Sequence, residues 1–269
     1  MFIWRLANCE GGDLTNIIKR AKSAGLGHLV VKFVDGQTPY NSHPDLKALV
    51  ALAHSQSVEV WGWPYTYGKQ PEMEATVAAH WYREIGFDGF VIDAEGEYKN
   101  NTPKATTYAQ TLRNALPDEP IGLSSYWCPS LHPEFPWEAF INRCDFIMPQ
   151  VYWSPSKRDS GDCLERSMKE FAKWAKPIVP TGGVLDDANL TSDELTEFME
   201  HAVGAGIRNF NLWHWAGAKP AHWTAIAQFP LGRTVSVQVI RHKDGAKIAR
   251  FDMVEGGNHL ADQGKIYVK

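Results

Sequence analysis

Phe87-Asp88-Gly89-Phe90-Val91-Ile92-Asp93-Ala94-Glu95-Gly96 is the stretch on which the fold turns. Its centre is a short run of β-branched and aromatic residues with no charge until the end, which reads as a strand buried on both faces rather than as a helix. Strands of that kind belong to parallel sheets, whose neighbours are joined by helical crossovers. Side chains alternate along a strand, so Asp93 and Glu95 share one face and Ile92 and Ala94 take the other.

The same texture repeats outward in both directions. Upstream, Phe2–Leu6, His28–Val34 and Val58–Trp63 are predicted strands. Between and after them come a helix capped by Asp13 that runs through Ala24 to Gly25, a helix over Pro44–Gln56 and a third over Glu72–Ile85. Downstream, strands are predicted over Ile121–Tyr126, Phe146–Tyr152, Ile178–Thr181 and Asn209–Trp215. Helices over Pro103–Leu116, Trp137–Asn142, Cys163–Ala175, from the Thr191 cap to Ala205, and near Pro220–Ala227 separate and follow them. About eight βα alternations over roughly 230 residues are the dimensions of a (β/α)8 TIM barrel, in the α/β class. A doubly wound open sheet is the rival, but no glycine fingerprint opens the first helix. After Pro230 the pattern changes to a hairpin, Thr234–Arg241 and Lys247–Met253 about Asp244-Gly245, with a further strand at Lys265–Val268. The expected organisation is a barrel over residues 1–230 and a small β-rich C-terminal appendage over 231–269, for attachment or assembly.

Composition narrows the function classes. The 269 residues are 44% hydrophobic and 22% charged, ordinary for a globular domain with a full core. The net charge of −4 comes without a block of like charges, which argues against nucleic acid or an anionic membrane as partner. It also mildly disfavours an anionic wall polymer. Met1 runs directly into Phe2-Ile3-Trp4 with no leader pattern, and no apolar run has the length of a membrane span. The expectation is a cytoplasmic product as synthesised, with release to act on a cell wall as the other route. Cys9, Cys128, Cys144 and Cys163 form no CxxC pair and read as free buried thiols. No metal or cofactor is expected: Asp186 and Asp187 lack an oxygen-rich calcium loop, and His43, His54, His80 and His132 show no ligand spacing.

In such a barrel the reactive groups stand at the carboxyl ends of the strands. Asp93 and Glu95 are placed there, and two carboxyls so close compete for charge. The more enclosed one keeps its proton near neutral pH and can serve as an acid. Eleven Trp, nine Tyr and twelve Phe are the strongest compositional bias. Several cluster where strand ends are expected: Trp63, Tyr65 and Tyr67; Trp127; Tyr152 and Trp153; Trp213 and Trp215. Core aromatics fall mostly in mid-strand, so this clustering points to sugar stacking, with a polysaccharide or oligosaccharide as the partner. Lys32 and Asp35 are either a pocket ion pair or a structural one. His214, between two tryptophans, reads as a core histidine, and Trp4, Trp81 and Trp174 are left to structure.

Four motifs resemble known families. Asp88-Gly-Phe-Val-Ile-Asp93-Ala-Glu95 resembles the DGxDxDxE strand of family 18 chitinases, with Val91 in place of the middle Asp. Cys144-Asp-Phe-Ile-Met-Pro-Gln150-Val-Tyr152-Trp-Ser-Pro is similar to their sixth strand, and Asn211-Leu-Trp213 to their eighth, where a Trp floors the sugar site. Val30-Val-Lys32-Phe-Val-Asp35-Gly36 and Val91-Ile-Asp93-Ala-Glu95 also resemble strands of family 25 lysozymes, which carry an Asp on strand one where this chain has Asn8. The resemblance implies a glycoside hydrolase with Glu95 as proton donor and Asp93 polarising a substrate 2-acetamido group that attacks in place of an enzyme nucleophile. It implies Tyr152 on the acetamido oxygen, and Gln150 and Trp213 lining the sugar. The implied substrate is an N-acetylhexosamine polymer, peptidoglycan or chitin, and a phage-type wall-degrading enzyme suits the missing leader. A catalytically silent carbohydrate-binding barrel and a glycosidase of plain hexoses are the alternatives, the first favoured by Val91 and Asn8.

Overall fold

The computed structural model describes residues 1–153, 158–183, 190–229, 234–240 and 247–254. Eight parallel strands follow one another round a barrel: β1 (Phe2–Ile3), β2 (His28–Asp35), β4 (Glu59–Thr66), β5 (Gly89–Ala94), β6 (Ile121–Tyr126), β7 (Phe146–Val151), β8 (Thr181–Gly183) and β9 (Asn211–Trp213). A two-residue strand, β3 (Thr38–Pro39), folds back antiparallel on β2. No ladder joins β1 to β9, but the Phe2 and Trp213 rings meet at 5.5 Å, and Asn211 Oδ1 lies 2.7 Å from His28 Nε2 across the seam. The barrel is therefore nearly closed.

Helices α1 (Leu14–Ser23), α2 (His43–Ser55), α3 (Pro71–Ile85), α4 (Thr102–Ala115), α5 (Trp137–Ile141), α6 (Ser160–Phe171), α7 (Ser192–Gly204) and α8 (Pro220–Gln228) alternate with the strands. Their ends follow local chemistry. Asp13 accepts the Asn16 N–H at 3.0 Å, and Thr191 and Glu194 form a capping box at the start of α7. Among the described residues no helix is long and apolar enough to cross a membrane, and all four cysteines are free and buried. Trp81 packs on His43, and Trp174 on Trp137 and Phe171, so both belong to helix packing.

Strand alternation sorts the apolar residues into two cores. Leu29, Val31, Phe33, Phe90 and Ile92 face the helices, while Val30, Trp61, Trp63, Val91, Phe146 and Met148 fill the barrel. The large interior rings need small neighbours. A Cβ on Gly89 would lie 2.2 Å from the Trp61 ring, and one on Gly122 would lie 2.2 Å from Phe146. Gly122→Ala is therefore expected to cost about 1–3 kcal/mol by overpacking, read from the midpoint of a urea transition. An unchanged midpoint would show that the Phe146 ring moves aside freely. At the amino end of the strands, His28, Glu59, Trp61, Val91 and Asn211 line a cavity of about 30 Å3, the size of one water. Burial there holds the His28 imidazole down to about 3, with the amino terminus adding to the effect, so the ring is neutral.

Most predicted elements are present, with informative differences. β1 ends two residues after it starts, because the chain turns into a 3-10 segment at Leu6–Asn8 pinned by Asn41. β4 runs past Trp63 to Thr66 despite Pro64, since a bulge at Phe33 of β2 leaves Val34 opposite a residue that has no N–H. The strand expected over Ile178–Thr181 begins at Thr181, with only an isolated bridge at Ile178; Pro180 interrupts the ladder between them.

In the tail, β10 (Thr234–Ile240) and β11 (Lys247–Val254) pair antiparallel in a sheet separate from the barrel. The predicted turn at Asp244-Gly245 and the strand at Lys265–Val268 lie outside the described residues. Every barrel strand precedes Pro230, so a chain ending at Leu231 is expected to keep one cooperative thermal transition. Loss of that transition would assign the tail to the barrel's own core.

Candidate active site

β5 delivers Asp93 to the carboxyl end of the barrel, with Glu95 just beyond it and Glu97 in the 3-10 turn Gly96–Tyr98. Asp93 is only 5% exposed, and Val91 beneath it sits in the apolar layer of Phe2, Trp63 and Met148. Gln150, reaching in from β7, ties the acids together. Its Nε2 donates to Asp93 Oδ1 at 3.2 Å, to Glu95 Oε1 at 3.0 Å and to Ser124 Oγ at 3.3 Å. Two amide hydrogens are thus spread over three acceptors. Burial pushes the Asp93 carboxyl well above its usual range, Glu95 reinforces the shift, and Lys32 and Gln150 only partly oppose it. Burial likewise raises Glu95, against the pull of Gln150. Asp93 is the more enclosed of the two, so the resting pair keeps a proton there. Tyr152 is half-buried at the end of β7, and its hydroxyl is pushed up by burial and then by the charges of Asp93 and Glu95. The structure brings Asp93, Glu95, Gln150 and Tyr152 together.

A second wall rises from the bulge in β2, two strands from β5. Residues three apart on a regular strand point to opposite faces, but the extra residue at Phe33 returns Asp35 to the side of Lys32. Lys32 Nζ, 6% exposed as a residue, lies 2.8 Å from Asp35 Oδ1 and over the rings of Tyr40 (4.5 Å), Trp63 (5.1 Å) and Tyr65 (5.5 Å). Tyr67 OH donates to both Asp35 oxygens. Lys32–Asp35 is a pocket pair inside an aromatic box.

Two acids that the sequence reading passed over shape the site. Glu97 accepts from Tyr65 OH at 3.0 and 2.9 Å, fixing that ring at the rim. Glu74, 2% exposed, accepts from Thr66 Oγ1 and from the backbone N–H groups of Tyr67, Gly68, Lys69 and Gln70. Burial alone would raise its pKa, but these donors hold it below the usual value, so a buried carboxylate organises the loop that carries Tyr67. A signal for Glu74 existed in the first turn of α3, where acids favour the helix dipole.

The aromatics divide. Trp213 is half-buried and meets Trp63 at 5.4 Å, with Trp63 fully buried and donating to the Ile3 carbonyl. Trp127 is half-buried beneath the guanidinium groups of Arg158 and Arg166. Trp153 and Trp215 do not line the cleft: they are 1% and 3% exposed, stacked on Phe198 of α7 and edge-on to Trp223 of α8. The strand ends just before Trp153 and Trp215, so alternation no longer governs them and the helix layer takes them. Asp186 and Asp187 lie outside the described residues. Among the described residues, Asp159, Glu197 and His201 are the one trio with metal-ligand composition and spacing, and they belong to α7 and the start of α6.

No protein-family model matches the sequence, and no curated protein matches it. Solved structures do. A chitinase from Chromobacterium violaceum superposes with a TM-score of 0.63 at 11% identity, over 86% of this chain and 99% of that one. The chain shares that (β/α)8 barrel fold. A GH113 β-1,4-mannanase matches with a TM-score of 0.62 at 11% identity, over 85% and 96%. The GH18 chitinase ChiB of Flavobacterium johnsoniae matches with 0.59 at 13%, over 86% and 92%. At these identities the likeness concerns the barrel.

The raised Asp93 has a consequence for stability. A carboxyl whose folded pKa exceeds its unfolded value of about 3.9 stabilises the fold fully below that value and progressively less as pH rises through the folded one. Asp93→Asn removes the group that must hold its proton in the fold, so it is expected to raise the melting temperature at pH 8 more than at pH 5, by about 2–4 °C for each kcal/mol relieved. A lower melting temperature for the variant at pH 8 would mean that Asp93 is ionised and stabilised by Lys32.

Proposed function

We propose that this chain is a glycoside hydrolase that cleaves an N-acetylhexosamine polysaccharide, peptidoglycan or chitin, with retention and substrate assistance. The observation that carries the reading is the single Gln150 amide bridging Asp93 and Glu95 at the floor of the cleft. A retaining enzyme with its own nucleophile sets two carboxyls about 5 Å apart across the scissile bond, and an inverting one sets them farther. Here both acids come from the β5 end on one side and share a donor, rather than facing each other across a bond, which suits a nucleophile supplied by the substrate.

The chemistry follows from the coupled pair. An acetamido N–H donating to Asp93 favours its ionised form and leaves the proton on Glu95. Glu95 gives that proton to the glycosidic oxygen as the C1–O bond breaks, and the acetamido oxygen forms the new bond to C1. Asp93 stabilises the positive charge that develops on the ring nitrogen, and Tyr152 holds the acetamido arm. Water, deprotonated by the Glu95 carboxylate, then opens the cyclic intermediate at C1, giving net retention.

The barrel likeness to chitinases supports the glycosidase part of the reading. The likeness to a β-1,4-mannanase favours a second reading, hydrolysis of a plain hexose polymer. Release of reducing ends from chitin oligomers, peptidoglycan and mannan decides between them. Release from mannan alone would transfer the assignment to the second reading, and release from none would leave a carbohydrate-binding barrel, for which the apolar layer around Val91 already argues.

A further inference from the structure

β1 ends at Ile3, so Trp4 and Arg5 stand at the mouth of the barrel, beside the Trp213 end of the cleft. Trp4 is 39% exposed although its backbone is firmly held. Asn41 Nδ2 donates to the carbonyls of Trp4 (3.1 Å) and Lys32 (2.8 Å), and Asn41 Oδ1 accepts the Leu6 N–H at 2.9 Å. The indole stands edge-on to His214 at 6.3 Å, next in sequence to Trp213. An indole on a fixed backbone at the carboxyl end of the barrel offers a flat face on which a pyranose can stack.

Arg5 gives this platform a chemical preference. Its guanidinium lies over the Trp4 ring at 5.0 Å, and Nε donates to Tyr40 OH at 3.2 Å. Among the described residues Arg5 takes part in no ion pair. Lys32, the other cation of this wall, is already engaged by Asp35. The acids Asp93, Glu95 and Glu97 all come from the β5 side. The β1–β2 side thus carries a guanidinium without an ion pair among the described residues, with its one acid, Asp35, already held by Lys32 and Tyr67, while three carboxylates come from the β5 side. A substrate carrying its own carboxylate is oriented by such a field, whereas a neutral polymer makes no use of it.

We infer that Trp4 and Arg5 form an outer subsite for a carboxylate-bearing sugar, with the pyranose face on the indole and the carboxylate on the guanidinium fork. This rests on the polysaccharide reading above and narrows it: an acidic hexosamine ether or a uronic acid belongs at this position. A planar fork suits a carboxylate better than an ammonium does, so Arg5→Lys is a partial loss rather than a neutral change. The overall charge of −4 mildly disfavours an anionic polymer, but a charge contact at the rim is local and decides over it, because distant charges are screened within about 10 Å at 0.1 M salt.

Three hexasaccharides test the subsite: one of N-acetylglucosamine, one alternating N-acetylglucosamine with N-acetylmuramic acid, and the second with its carboxyls reduced to alcohols. Binding is titrated calorimetrically in a Glu95→Gln background, and hydrolysis is followed in the active protein. The acidic oligomer is expected to bind roughly 10- to 100-fold tighter than its reduced form, a difference that Arg5→Gln abolishes and high salt diminishes. Trp4→Ala is expected to weaken all three by about tenfold. Equal binding of the acidic and reduced forms, or a preference that survives Arg5→Gln, would overturn the subsite. Carboxylate-dependent binding without hydrolysis of any oligomer would leave the subsite standing and overturn the hydrolase reading instead.

Discussion

Glu95→Gln is expected to slow cleavage of a polymer by roughly 100- to 10,000-fold, the usual worth of general acid catalysis, while sugar binding survives. The substitution keeps an oxygen where Gln150 Nε2 donates at 3.0 Å, so the bridge to Asp93 can persist and the loss is that of a transferable proton. Its effect should depend on the leaving group. An alcohol leaving group needs protonation as the bond breaks, whereas an aryl leaving group that departs as a stable anion does not, so the variant's deficit should shrink on activated aryl glycosides. The pH dependence has a sign as well. Glu95 is raised by burial, so the protonated fraction on which catalysis depends extends to higher pH than an exposed glutamate allows, and the alkaline limb of kcat/KM should vanish in the variant's residual rate. Near-native turnover on an unactivated polymer would remove Glu95 from the role.

What could be read from the sequence separates along physical lines. The barrel was legible because most βα units carry a buried apolar strand, and several helices open on a side-chain cap such as Asp13 or Thr191. Asp93 was legible because alternation is a local rule and β5 is regular, and Glu95 follows directly after its last residue. Where local rules lapse, the reading lapsed too. The Phe33 bulge, which puts Lys32 and Asp35 on one side, depends on pairing with β4 some 30 residues on and leaves no mark in β2 itself. Trp153 and Trp215 follow the last strand residue, so tertiary packing against Phe198 and Trp223 decides where they go. Glu97 lies in a turn whose direction only the Tyr65 hydroxyl reveals.

Asp93→Asn should weaken a thiazoline mimic of the cyclic intermediate far more than it weakens plain N-acetylglucosamine. The mimic, once protonated, presents a cationic N–H where the acetamido nitrogen sits, and analogues of high-energy species bind tighter than substrate because the site is built for the charge that develops. Asp93 supplies that charge complement from an enclosed position above the Val91 layer, where solvent screens little. Plain sugar offers Asp93 only a neutral amide, so its affinity should fall modestly, by the worth of one ordinary hydrogen bond, about 0.5–1.5 kcal/mol. A charged contact is worth more, about 1.5–3 kcal/mol, so the mimic should lose roughly ten- to a hundredfold in affinity. Paired titrations of both ligands on both proteins read the difference directly, and the stability gain expected for Asp93→Asn guards against confusing lost binding with a damaged fold. Equal losses for the two ligands would exclude substrate assistance and require a nucleophile from elsewhere in the cleft. Absence of binding by either would count against an N-acetylhexosamine at this position.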